Sequence, residues 1–337
     1  MVMQLKRILP MLVLLIACSR PSNAPLEDVR MMMDTVVRIK VYEGPDSPAG
    51  IAAVMDSAFL LMGRLEEKIS AYTDSSETAL INRHAVHRAV TVSQELVELV
   101  EEGRKLSELT GGAFDISIGA LLELWGFSSG RPQLPDPAAI EAVLPLVDFR
   151  RIDLDENRIT LGKAGMRIDL GAIAKGYIVD RAVRFLKRRG VTAGLVEAGG
   201  DLRLFGKPPH RDLWRIGIRH PRNESGALFG ILDIEAGSVT TSGDYERTFT
   251  QNGKRYHHLL DPATGYPANG CISVTVIAES AMLADAWATG VFILGPEKGM
   301  ALLASHSGVE GMMIFEQDNG LTYRATPAFD EIFHLQE

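Results

Sequence analysis

The chain runs to 337 residues with 46% hydrophobic side chains, enough to bury one large domain or two fused lobes. It carries 43 Asp and Glu against 35 Lys and Arg. That mildly acidic balance, with no basic block beyond Lys187, Arg188 and Arg189, excludes nucleic acid as the main partner.

The N-terminal stretch reads as targeting rather than fold. Lys6 and Arg7 precede an apolar run over 8–17, far short of the roughly 20 residues a spanning helix needs. The run ends Leu15-Ile16-Ala17-Cys18-Ser19, which looks like a bacterial lipobox, whose cysteine is acylated and becomes the mature first residue. The expected organisation is a lipoprotein signal peptide over 1–17, a lipid-anchored tether over 18–29 with lipidation at Cys18, and a folded domain over 30–337. An ordinary secretory signal with an incidental cysteine is the other reading. With Cys18 acylated, Cys271 has no partner for a disulfide within the chain, so stability must come from the core.

Residues 35–42 alternate, with Val37, Ile39 and Val41 on one face, and predict a strand. Ser47-Pro48 opens a helix reaching about residue 70. Asp74-Ser75-Ser76-Glu77 reads as a capping box for a short helix ending near Asn82. Ser93 caps a further helix, closed by Thr110-Gly111-Gly112. A Gly/Pro-rich loop spans 128–137, and Asp136-Pro137 opens a helix to about residue 147. Strands over 151–154 and 158–161 lead into Asp169-Leu170-Gly171-Ala172-Ile173-Ala174-Lys175-Gly176. An amphipathic helix continues from there, with Ile178, Val179, Ala182, Val183, Phe185 and Leu186 at helical spacing and Gly190 as its stop. Strands are expected over 194–198, 201–205, 214–219, 229–234 and 271–278. Helices follow from about residue 282 and near 297–306, then strands over 309–315 and 321–325. Helices cluster early and strands late, with no regular βαβ alternation. The expected fold class is α+β, as two fused lobes with mixed or antiparallel sheets flanked by helices.

Several stretches carry residues suited to chemistry, each beside a plainer reading. Gly171 to Gly176 lies at a helix N-terminus, where amide hydrogens and the helix dipole favour an anion; a simple strand-to-helix turn with a solvated Lys175 also fits. Asp285 and Thr289 stand one turn apart on a predicted helix, so their oxygens share a face and suit a hard cation such as magnesium. A helix-start Asp with a Thr bonded to backbone is the alternative. Tyr256-His257-His258 precedes a tight turn at Asp261-Pro262-Ala263-Thr264-Gly265. Adjacent histidines in a strand point to opposite faces, so at most one faces a site as proton acceptor. The hydroxyl-rich run from Ser238 to Arg247 reads as a phosphate-binding loop or a solvated turn. Gly111-Gly112-Ala113-Phe114-Asp115 is either a backbone platform for a flat ring, with Asp115 accepting from it, or a helix cap leading onward. Glu197-Ala198-Gly199-Gly200-Asp201 reads equally as a hairpin turn.

Taken together and in order, these segments resemble the ApbE family, the FAD:protein FMN transferases once called thiamine-biosynthesis lipoproteins. The matching set is Gly111 to Asp115 with Leu124-Trp125-Gly126-Phe127, Asp169 to Gly176, Glu197 to Asp201, Thr241 to Asp244, His258 to Gly265 and Asp285 to Thr289. The resemblance covers nearly all of 30–330 and is consistent with the lipobox. It implies magnesium-dependent transfer of FMN from FAD, as substrate, to a threonine hydroxyl of an acceptor protein, with release of AMP. The implied metal ligands are the Ala172 carbonyl, Asp285 and Thr289. The implied flavin-nucleotide contacts are Met33, Tyr72, Ala113, Phe114, Asp115, Asp169, Lys175, Leu259 and Ala288. His258 takes the position of the family's histidine and is the implied catalytic base. Two departures stand out: Met33-Asp34-Thr35 replaces the usual Met-Gly-Thr, and Ala120 stands where members often have proline.

The implied acceptors are subunits of membrane redox complexes, such as the sodium-translocating NADH:quinone reductase and its Rnf relatives. The implied location is the periplasmic side of a bacterial membrane; family membership favours the inner membrane, whereas Ser19 after the lipid cysteine favours outer-membrane sorting. Two other functions use the same residues. Water in place of threonine makes the protein an FAD pyrophosphatase yielding FMN and AMP, and tight binding without turnover makes it a non-catalytic flavin-binding lipoprotein.

Overall fold

The computed structural model describes residues 24–45, 47–223, 225–318 and 320–336. The expected signal peptide and the lipidation site at Cys18 lie outside these. β1 (Leu26–Met32) and β2 (Thr35–Glu43) form a hairpin whose two-residue turn, Met33-Asp34, has positive φ at both positions, 53° and 55°. Asp34, in the place of the family's glycine, adopts the left-handed backbone that Asp tolerates better than most side chains. β1 therefore overlaps the stretch 18–29 expected to be tether.

α1 (Pro48–Ile69) starts at Ser47, whose hydroxyl accepts from the Gly50 amide. It is long and apolar enough to cross a membrane, yet it buries Met55, Phe59, Met62 and Leu65 as a core helix. α2 (Glu77–His84) is capped by Ser76 rather than by a box starting at Asp74. Glu77 instead reaches forward, accepting at 2.8 Å from both the amide and the hydroxyl of Ser93, which leaves that hydroxyl away from the end of the helix it precedes. β3 (Val90–Thr91), α3 (Gln94–Leu109), α4 (Gly119–Leu124), α5 (Pro137–Val143), β4 (Ile152–Asp155) and β5 (Arg158–Leu161) follow. α6 (Gly171–Arg188) then leads to the hairpin β6 (Ala193–Ala198) and β7 (Asp201–Phe205). Next come β8 (Trp214–Arg219), β9 (Leu228–Ile234), β10 (Gly237–Gly243), β11 (Thr248–Gln251), β12 (Lys254–His257) and β13 (Ser273–Ala278). The chain closes with α7 (Ala281–Ser305), β14 (Val309–Gln317), β15 (Gly320–Ala325), α8 (Pro327–Asp330) and β16 (Phe333–Leu335).

Eight strands form one sheet in the order β1-β2-β6-β7-β10-β13-β14-β15, and every pair of neighbours in it is antiparallel. The fold is α+β, as expected. The two helices expected over 282–306 are present within α7, meeting at a sharp break at Gly295 (φ 74°) and Pro296, where glycine takes the left-handed backbone without strain. Of the hydroxyl-rich run from Ser238 to Arg247, expected as a loop or turn, the part up to Gly243 is a central strand, β10, between β7 and β13, and only the rest turns. Its small polar side chains concealed the apolar alternation that usually marks a strand.

Three apolar clusters hold the molecule. The largest lies between one face of the main sheet and α1, α3, α6 and α7. A second, around Trp214, Phe229 and Phe333, joins the opposite face to a small sheet of β8, β9 and β16. A third surrounds Trp125 and binds α4 and α5 to the β11–β12 hairpin.

Candidate active site

Two helices create the site because of what they carry in their first three turns. Gly176 of α6 lies so close to α7 that a Cβ there would sit 2.2 Å from the Ala281 carbonyl oxygen. One turn further along α6, both carboxylate oxygens of Asp180 accept from the first amides of α7, Ala281 and Met282, at 3.0 Å each. This contact brings Asp285 over α6: its Oδ2 lies 3.4 Å from the Gly176 amide nitrogen and 3.7 Å from Lys175 Nζ. Ala172, Lys175, Asp285 and Thr289 thus line one cavity, together with Asp201 at the start of β7 and with Thr240, Thr241 and Ser242 of β10. The Ser242 hydroxyl stands 3.5 Å from that of Thr289.

The electrostatics follow from burial. Asp201 and Asp285 are 2% and 4% exposed. Lys175 stands between them, in hydrogen-bond contact with Asp201. Burial, then the neighbouring Asp201, push Asp285 up to about 7, with Lys175 opposing the rise. Burial alone would lower the Lys175 ammonium, but the two carboxylates outweigh it and hold the group charged. Glu246, on the same cavity wall, is raised to about 7 by burial, with Lys175 opposing.

Of the two adjacent histidines, one faces this cavity and the other does not. His258 lines it with Phe114, Phe127 and Leu259. His257 turns to a separate cavity and bonds the Ala268 carbonyl oxygen through Nε2 at 3.1 Å. Burial, then Arg247, press His258 down to about 3, so the imidazole is neutral. Its Nδ1 is buried without a hydrogen-bond partner among the described residues.

The cavity opens into a cleft of about 1160 Å³ that shares Tyr72, Asp169, Lys175, Glu246 and Arg247 with it and extends to the Met33-Asp34 turn. The Tyr72 hydroxyl donates to Asp169 Oδ2 at 2.8 Å, while Asp169 Oδ1 accepts from the Gly171 amide at 2.8 Å. The start of α6 is thereby tied to the cleft wall. Ala113, Phe114 and Asp115 line the inner cavity, but Gly111 and Gly112 do not; their φ values of 62° and 89° belong to the helix stop after α3. Asp115 accepts from the amide and hydroxyl of Ser117 and the amide of Phe149, so its carboxylate already braces the loop that carries Phe114. Leu259 lines the cavity, whereas Ala288 is fully buried in the core and does not.

Sequence reasoning missed Asp180, Asp201, Glu246 and Arg247 as individual residues. Asp201 and Arg247 ended stretches singled out for their other members. Asp180 reads in sequence as one more polar position on an amphipathic helix.

A long cleft that narrows onto buried carboxylates, a charged lysine and a neutral imidazole defines a group-transfer enzyme on an antiparallel α+β scaffold. The chain belongs to the ApbE family, whose family model matches residues 33–313. Similar proteins include the FAD:protein FMN transferase of Treponema pallidum, 35% identical over 301 residues that span 85% of this chain and 83% of that protein. One from Klebsiella pneumoniae is 36% identical, spanning 84% of this chain and 87% of its own. Among solved structures, the ApbE protein of Thermotoga maritima superposes with a TM-score of 0.84 at 35% identity, covering 91% of this chain and 99% of that one. The flavin transferase ApbE of Vibrio cholerae gives 0.82 at 30% identity, covering 91% and 99%.

Proposed function

We propose that this protein transfers the FMN part of FAD to a threonine hydroxyl of an acceptor protein and releases AMP. One observation carries the reading: Lys175 and Ala172 of α6, Asp285 and Thr289 of α7, and His258 converge on one cavity at the end of a cleft lined by Met33, Tyr72 and Asp169. In the reaction the threonine oxygen bonds to the flavin-side phosphorus. The bond from that phosphorus to the bridging oxygen breaks, and the bridging oxygen leaves on AMP.

His258 accepts the hydroxyl proton: its imidazole is neutral, and the anionic phosphates of a bound dinucleotide would raise the basicity that burial lowers. General-base help of this kind is worth ~10²–10⁴-fold. Lys175, held charged by two carboxylates, sets a fixed positive charge against the phosphate oxygens without reorganisation. Phe114, Ile116, Leu122, Phe127 and Leu259 form an apolar wall beside His258 that limits access of competing water.

Magnesium fits the donors present: the Asp285 carboxylate, the Thr289 hydroxyl and the Ala172 carbonyl are all hard oxygens on one cavity. No group of three His, Cys, Asp or Glu side chains is placed to hold a metal ion among the described residues, so an ion here would complete its shell with substrate phosphate and water. When bound, it would draw charge from the phosphate oxygens.

The acceptor we infer is a threonine-bearing subunit of a membrane redox complex, and the location the periplasmic side of a bacterial membrane through a lipid at Cys18. The lipobox-like Ala17-Cys18 at the end of the apolar run over 8–17 supports this. Replacing Cys18 by serine should move the protein from the detergent to the aqueous phase on partition.

The direct test is incubation with FAD, magnesium and a threonine-bearing subunit of a sodium-translocating NADH:quinone reductase. Intact mass should show one added FMN moiety, with AMP released only when the acceptor is present. AMP released at the same rate without acceptor would replace the transferase with a pyrophosphatase.

A further inference from the structure

We propose that Asp180 is the positioning residue of the cation site: it fixes the distance between the metal-binding oxygens of α6 and those of α7 without touching metal or substrate. The inference rests on the cation reading of the Ala172, Asp285 and Thr289 cluster and goes beyond it by naming what holds that cluster at its spacing.

The two helices meet in steps of one turn. Asp180 bonds the Ala281 and Met282 amides at 3.0 Å each; Gly176 meets Asp285 at 3.4 Å; Ala172 and Thr289 line the cavity a further turn along. The helices therefore run past each other in opposite directions, and the carboxylate clamp sits about 12 Å along α6 from Ala172, at 1.5 Å per residue. Both Asp180 oxygens are used on α7, so the clamp sets orientation as well as distance. The N-cap of α7, Ser280, is a separate device: its hydroxyl accepts from Leu283 within the same helix at 3.2 Å and does not join α7 to α6.

Asp180 also faces Arg203 of β7, with Nε 3.7 Å from Oδ1, and Arg203 in turn donates to the Ser238 hydroxyl of β10 at 3.1 Å. α6, α7, β7 and β10 each place a residue in the cavity; Asp180 joins α6 to α7 and β7, and Arg203 carries the link on to β10. The reason to tie them so firmly is chemical. Magnesium demands near-octahedral oxygens at about 2.0–2.1 Å, whereas a dinucleotide in a long cleft tolerates larger displacements. Partners that orient metal ligands typically cost ~10–100-fold in metal affinity when removed.

The test compares Asp180→Asn and Asp180→Ala with Ser280→Ala, using Mn²⁺ binding followed by loss of the free-ion EPR signal, Mg²⁺ competition, FAD affinity by fluorescence, and melting temperature. Ser280→Ala removes a cap of similar worth to the fold but leaves the clamp intact. The expected result is Mn²⁺ affinity lowered about 10–100-fold in Asp180→Ala and less in Asp180→Asn. Ser280→Ala should stay within about twofold of the parent at a comparable loss of melting temperature, and FAD affinity should stay within about twofold in all three. Parent-like Mn²⁺ affinity in Asp180→Asn and Asp180→Ala overturns the positioning role, as does an equal loss in Ser280→Ala. If the parent itself takes up no Mn²⁺, the cation reading fails, and the inference falls with it.

Discussion

Replacing Gly176 by alanine places a methyl carbon 2.2 Å from the Ala281 carbonyl oxygen and 2.6 Å from the Met282 amide nitrogen. Both neighbours are backbone atoms of the first turn of α7, so neither can rotate away. Ordinary contact begins near 3.4 Å, and the helices must part by about 1 Å to admit the methyl. On an exposed helix the same change would add ~1 kcal/mol of stability. Here overpacking costs ~1–3 kcal/mol, and an unyielding backbone neighbour puts it at the upper end. The net loss of ~1–2 kcal/mol should lower the melting temperature by only about 1.5–3 °C, because the unfolding entropy of a chain of this size is large. The larger effect falls on the cation. Asp285 rides on α7 one turn beyond Ala281, and metal–oxygen distances tolerate only about 0.2 Å, so Mn²⁺ affinity should fall at least about tenfold. Calorimetry and an Mn²⁺ titration measure the two effects separately. A variant that melts at or above the parent and binds Mn²⁺ equally well would refute the claim that this close approach sets the site.

Asp285→Ala should abolish Mn²⁺ binding and FMN transfer together while FAD still binds, read by EPR, intact mass and fluorescence. Lys175→Met leaves two buried carboxylates without their counter-charge, a loss of ~3 kcal/mol or more when both are ionised. The melting deficit should therefore be large at pH 8.5 and smaller at pH 5.5, where the raised Asp285 is protonated. His258, lowered to about 3, should show ring NMR shifts that do not move between pH 5 and 9, and titration near 6.5 would contradict its burial. Because the unfolded chain binds the proton that the folded imidazole refuses, stability should fall as pH drops from about 6.5 towards 3. His258→Gln should flatten that slope by up to about 1.4 kcal/mol per pH unit.

Much of the scaffold was legible because its signals are local. Ser47-Pro48 and Asp136-Pro137 start helices where a side-chain oxygen and a proline together mark the first turn, and Gly190 and the Gly111-Gly112 pair stop them. The opposite facing of His257 and His258 also followed from strand geometry alone. β10 escaped notice because threonines and serines fill it, and a strand paired on both sides needs no apolar stripe when helices and sheets already cover it. The Asp74 to Glu77 box failed for a tertiary reason, since Glu77 found a better partner in Ser93, 16 residues away.

By itself the sequence determined which residues can do the chemistry, the order in which they occur and the family they resemble, because residue type and short spacing are local properties. Only the tertiary structure decided that Asp285 meets Lys175, that Asp201 supplies the second carboxylate, and that Ala288 turns into the core instead of the cavity. These contacts join positions 26 to 110 residues apart, and they form only where a glycine and an aspartate on one helix let the next one dock. No pattern within a single element encodes that approach; it arises from backbone atoms of two helices packed too closely for any side chain to intervene.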